Sequence, residues 1–123
     1  MNIQRGDIFL AKLSGYIGSE QSGTRPVIVV QNDSGNIHSP TTVVAPLTTK
    51  QKPRLPTHIL LTAKDCGIFE DSIVLCEQVR VIDKSRLKKR IGRVENQKKI
   101  DEIDESLMIS IGIENSRRKN EDT

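Results

Sequence analysis

The chain has 123 residues, 35% of them apolar and 28% charged, which suits one globular domain and excludes a disordered polymer. The formal net charge is only +3, and three aromatic residues (Phe9, Tyr16, Phe69) are too few for a base-stacking platform on a sheet. There is no apolar run of the roughly 18 residues a membrane span needs, no secretory layout at the N-terminus, and only two cysteines, Cys66 and Cys76, so reduced thiols in the cytoplasm are expected.

In chain order, Asp7–Leu13 predicts a strand, and the glycine-rich stretch Gly15–Thr24 predicts a loop. The β-branched run Pro26–Gln31 suits a strand buried on both faces. Asn32–Pro40 reads as a turn, Thr41–Ala45 as a strand, and Thr49–Thr57, with two prolines, as a connection. His58–Leu61, Ser72–Ile82 and Lys88–Val94 are further strands. Short strands at this spacing predict a small barrel rather than alternating βαβ units. The period then changes. Ile100, Ile103, Leu107 and Ile111 recur at helical spacing, so a helix over 96–112 is expected, capped by Asn96, stopped near Gly112 and packed on the barrel by its apolar stripe. Residues 1–114 thus form one domain, followed by a polar, disordered tail at 115–123.

Chemistry concentrates where the loop Gly18-Ser19-Glu20-Gln21-Ser22-Gly23-Thr24-Arg25 runs into a buried strand. Arg25 precedes Pro26, so its backbone is pushed towards an extended conformation at the mouth of that strand. Its planar fork of donors suits a phosphate, although an arginine at a strand entrance is more often a surface ion pair. Between Arg80 and Arg93 seven basic residues face one acidic residue, Asp83; that segment carries +6 and the rest of the chain −3. It suits a phosphate-binding face, the landing site of an acidic partner segment, or a solvated strand edge.

Other constellations are weak. His38 and His58 stand in a turn and at a strand start, and do not read as an acid/base pair. No Cys or His pair has zinc-ligand spacing, so no metal site is expected. Phosphate-loop and dinucleotide motifs are absent, so no cofactor is expected. Cys76 reads as a small core residue.

Arg5-Gly6-Asp7, GSEQSGTRPVIVVQND at 18–33, APLTT at 45–49 and LCEQVRVIDKSRL at 75–87 together resemble the MazF/PemK/Kid family of toxins, over nearly all of residues 3–113. The resemblance implies a mainly β fold with a C-terminal α-helix, an SH3-like small β-barrel shared with a gyrase-poisoning toxin group. It implies a metal-independent, sequence-specific endoribonuclease, an mRNA interferase that cuts single-stranded RNA and leaves a 2′,3′-cyclic phosphate. It also implies a cytoplasmic homodimer, neutralised by a cognate antitoxin protein. Carried over by position, the catalytic pair falls on Arg25 and Thr48, and the RNA-binding set on Tyr16, Ser19, Glu20, Gln21, Asn32, Thr49, Gln78 and Arg80. The general base stays open between Arg25, whose guanidinium offers donors and no acceptor, and Glu20. The alternative is a non-enzymatic toxin of the same fold that binds and poisons a topoisomerase.

Overall fold

The computed structural model describes residues 1–14, 23–50 and 53–114. Strands β1 (Asp7–Leu13), β2 (Gly23–Val29), β3 (Thr41–Thr48), β4 (His58–Leu61), β5 (Ser72–Leu75), β6 (Arg80–Asp83) and β7 (Leu87–Arg93) form one antiparallel sheet. Its order is β4-β5-β3-β2-β1-β7, with β6 also on β3. Three helices join them: α1 (Asp33–His38), α2 (Ala63–Cys66) and α3 (Gln97–Ser110). Among the described residues no helix is long and apolar enough to cross a membrane.

Alternation along the strands sends side chains to two separate cores. Ile28, Ala45, Leu47 and Val74 join Ile103 of α3 on one face, while Phe9, Ala11, Val27, Val29, Val44, Ile82 and Leu87 fill the other. The β-branched run in β2 is explained by this, because both of its faces are buried. Two register shifts in the β1–β7 pair, between Ile8 and Phe9 and between Leu10 and Ala11, bend the sheet. The result is barrel-like, although among the described residues β4 and β7 are not paired to close it.

The Arg5-Gly6-Asp7 segment ties the pieces together. Asp7 is 1% exposed, accepts Arg93 Nη1 at 2.6 Å and the Gln4 N–H at 2.9 Å, and lies 3.4 Å from Arg90 Nε. Arg5 donates to Asp104 of α3 at 2.6 Å and to the Val30 carbonyl at 2.9 Å. Gly6, at φ +94°, gives its N–H to the Val29 carbonyl and receives that of Val94, joining the ends of β2 and β7.

Several expectations are corrected. Ser72–Ile82 is not one strand: a 3-10 turn at Cys76–Gln78 divides it, and the register against β3 moves by three residues between β5 and β6. The Cys76 N–H leaves the ladder and donates to the Thr57 carbonyl at 2.9 Å. The stretch 32–40 is not only a turn; it contains α1, capped by Asn32 and held by buried Asn36, which accepts from Thr42 Oγ1 at 2.8 Å. Strand β2 reaches back to Gly23 and β3 on to Thr48, each through a proline. Asn96 caps α3 as expected, but the helix ends at Ser110, so Ile111 lies beyond it and is exposed. The 115–123 tail lies outside the described residues.

Two outcomes follow from the packing. A Cβ at Gly92 would stand 2.2 Å from the Cys66 carbonyl oxygen, so the backbone must move to admit it. Gly92→Ala should cost about 3 kcal/mol, read as a fall of roughly 10 °C or more in Tm. Burial pushes the Cys76 thiol up to about 11, so at pH 8 it stays protonated. Iodoacetamide at pH 8 should label Cys76 only after denaturation, as mass spectrometry of the peptide would record.

Candidate active site

The site is built where β2 and β3 part. Their ladder runs Val29↔Val44, Ile28↔Ala45, Val27↔Pro46 and stops there. Pro26 and Pro46 each lack an N–H, so the pairing loses donors at this level. On its opposite edge β3 goes on to β5, through Leu47↔Val74 and Thr48↔Ile73. Carried two residues past Val27↔Pro46, the register sets Arg25 level with Thr48 on the neighbouring strand. By alternation both belong to the face of Val27 and Val44. Arg25 is half-buried beside Ala11 of β1. Thr48 is buried; its Oγ1 accepts the Lys50 N–H at 3.2 Å, which leaves the hydroxyl proton to donate.

Positive charge gathers on the same face. Arg80 opens β6 opposite Val44, in the row that holds Val29. Burial, and then the nearby Arg86 cation, push the Arg80 guanidinium below its ordinary value. Arg86 is anchored at the end of β1, donating to the Lys12 carbonyl at 3.2 Å and to Ser14 Oγ at 2.8 Å. Two guanidiniums that repel one another across this face are relieved by an anion between them. Sequence reasoning missed Arg86 as part of this group. Its signal was present only as one member of the basic run.

That run is otherwise mostly committed within the fold. Arg90 and Arg93 face Asp7, Lys84 bonds the Asn36 carbonyl, and Lys88 donates to the Ser85 carbonyl at 3.1 Å. Lys88, Lys89 and Arg90 are exposed on β7, a sheet edge.

The other expected site residues are dispersed. Gln78 ends the 3-10 turn that leads into Arg80. Thr49 is exposed just past β3, on the rim of an apolar groove with Leu10, Pro26, Ile68 and Phe69. Asn32 stands at the far end of β2 from Arg25, and its side chain is engaged in capping α1, accepting the Gly35 N–H at 2.8 Å. Tyr16, Ser19, Glu20 and Gln21 lie outside the described residues, in the connection between the paired Leu13 and Gly23. The histidines are not a pair: His38 is exposed at the end of α1, and His58 is buried in β4 with Nε2 3.0 Å from Glu77 Oε2. Among the described residues, no three His, Cys, Asp or Glu side chains cluster as metal ligands.

Comparison with known proteins agrees with this architecture. The chain is 47% identical over 114 residues to a protein of Bacillus subtilis (strain 168) named Endoribonuclease EndoA, covering 92% of this chain and 97% of that one. In fold it is similar to MazF from Deinococcus radiodurans, with a TM-score of 0.78, 22% identity, and 92% and 99% of the two chains covered. It is also similar to a mycobacterial endoribonuclease solved in complex with its cognate antitoxin, with a TM-score of 0.70, 23% identity, and 92% and 96% covered. Residues 4–111 match the family described as PemK-like, MazF-like toxin of type II toxin-antitoxin system. With the curled sheet, the C-terminal helix and the match across nearly the whole chain, this protein belongs to the PemK/MazF toxin family.

Proposed function

We propose that the chain is a cytoplasmic toxin endoribonuclease, silenced by an antitoxin protein, and that one domain spanning 1–114 carries the activity. The observation that supports the reading is the β2–β3 register, which extended two residues past Val27↔Pro46 brings Arg25 to the level of Thr48, with Arg80 opposite Val44 and Arg86 near enough for its charge to act on it. The 47% identity to a protein named as an endoribonuclease supports it.

The reaction suits these residue types. The ribose 2′-oxygen attacks its own 3′-phosphorus; a new 2′-O–P bond forms while the P–O5′ bond breaks. The nucleophile and phosphate share one nucleotide, so orientation is already provided. Arg25 faces the non-bridging oxygens as negative charge grows on them, and Thr48 donates one further hydrogen bond. The 2′-O–H proton passes to a base, for which Arg25 and Glu20 are the two candidates, and a proton reaches the leaving 5′-oxygen. A 2′,3′-cyclic phosphate and a 5′-hydroxyl remain. Arg80 and Gln78 flank the strand's path, with Tyr16, Ser19, Glu20, Gln21, Asn32 and Thr49 as the further RNA contacts.

The dimer is supported by apolar surface. Val30, Val43, Val79, Leu107 and Ile111 line a hollow beside exposed Val81 on the short strand β6. Surface of this kind is normally covered by a partner. Sedimentation should give a homodimer at micromolar concentration; a stable monomer would contradict it.

Cleavage is tested with a long single-stranded RNA in EDTA. Arg25→Ala should lose at least ~10²-fold in rate with an unchanged melting temperature, because its removal takes away transition-state charge stabilisation. Thr48→Ala should do the same, and the double variant should lose less than the product, since both groups act on one transition state. Deoxyribose at the cut position should abolish cleavage and leave binding intact. RNA left uncut by the wild type would favour a toxin that only binds.

A further inference from the structure

A buried imidazole stands outside this mechanism. His58 opens β4 and is 6% exposed, yet only one of its ring nitrogens is bonded. Nε2 lies 3.0 Å from Glu77 Oε2, while Nδ1 is buried with no hydrogen-bond partner. For stability alone an apolar side chain would cost less here, since an unbonded buried polar atom is unfavourable. The contact with Glu77 is therefore what the imidazole provides.

Glu77 is the middle residue of the 3-10 turn Cys76–Gln78. That turn absorbs the three-residue register change between β5 and β6, so no ladder hydrogen bond of β3 fixes it. Its position is set from the other side. The Cys76 N–H donates to the Thr57 carbonyl, the buried Cys76 thiol meets the Ser106 hydroxyl, and Ser106 Oγ donates to the Pro56 carbonyl. Within the turn, the side chain of Glu77 is held by His58 of β4. Gln78 follows directly, and Arg80 comes two residues later.

We infer that His58 is a positioning residue that acts through Glu77: it clamps the Cys76–Gln78 turn so that Gln78 presents its amide to one base of the cleaved RNA. This rests on the proposed RNA-contacting role of Gln78. The clamp governs binding and base choice, and leaves the chemistry at Arg25 and Thr48 unchanged.

The test measures kcat and KM for the full chain on a short single-stranded RNA containing the cleaved word, and on versions changed at one base each. Glu77→Gln and His58→Leu should each raise KM about tenfold, relax preference at a single base, and leave kcat within about twofold. Gln78→Ala should do the same. In the Gln78→Ala background, His58→Leu should add nothing further to KM. His58→Gln, which restores a donor towards Glu77, should recover most of the loss. Glu77 is partly exposed, so Glu77→Gln reports even where His58→Leu fails to fold, and thermal melts identify that case. A KM unchanged in Glu77→Gln but raised in Gln78→Ala overturns the clamp alone. A KM unchanged in Gln78→Ala removes the reading of Gln78 and the clamp with it. Independent, additive effects of His58→Leu and Gln78→Ala also overturn it.

Discussion

Hydrogen bonding along β3 cannot continue unchanged past Pro46, and the site follows from that constraint. On one side the ladder to β2 ends at Val27↔Pro46; on the other, β3 goes on to pair with β5. A strand buried on both faces normally keeps its neighbours, so ending the ladder here leaves two strand ends at one level without a bond between them. Arg25 and Thr48 lie just past the last pair of that ladder. Sites on strands hold their groups more closely than sites on free loops, because the flanking residues are fixed by the core. Val27 on one strand and Leu47 on the other provide that anchorage.

At its other end the same sheet is fastened by buried charge. Asp7 is enclosed, but Arg93 and the Gln4 N–H satisfy it, which is the condition for burying a carboxylate. Arg5 reaches in two directions, to Val30 at the end of β2 and to Asp104 on α3. These bonds fasten helix, first strand and last strand together at one end, away from the parting of β2 and β3.

The legible parts of the sequence were those governed by local rules. Asn96 caps α3 because an N-cap needs only its own turn, and it accepts the Lys99 N–H at 3.1 Å. The buried run of β2 and the strand His58–Leu61 were readable from residue type alone. What was not readable depended on distant partners. SIVLCEQVRVI is apolar enough to read as one strand; at its break the Cys76 N–H goes to the Thr57 carbonyl, a partner in the distant turn before β4. The α1 sequence DSGNIH has little helical propensity, and the helix stands because Asn36 is bonded to Gln31 and Thr42. For the candidate site, Arg25 and Thr48 were named from the family resemblance alone, while the bonding of Arg86 and the capping use of Asn32 required coordinates.

The basic run shows why charge counts mislead at this scale. Seven cations in fourteen residues suggest a phosphate-binding stripe, yet Arg93 is held by Asp7 and Lys84 by a backbone carbonyl. Arg86 is bonded too, but to Lys12 and Ser14 at the end of β1, on the face that carries Arg80. A carbonyl and a hydroxyl orient that cation without cancelling its charge, while the Asp83 carboxylate lies near enough to feel it. The run therefore separates by partner. Where it meets a buried acid it holds the sheet, and where it meets a carbonyl and a hydroxyl it is fixed at the end of β1. That distinction, rather than the total of +6, is what separates the two ends of the run.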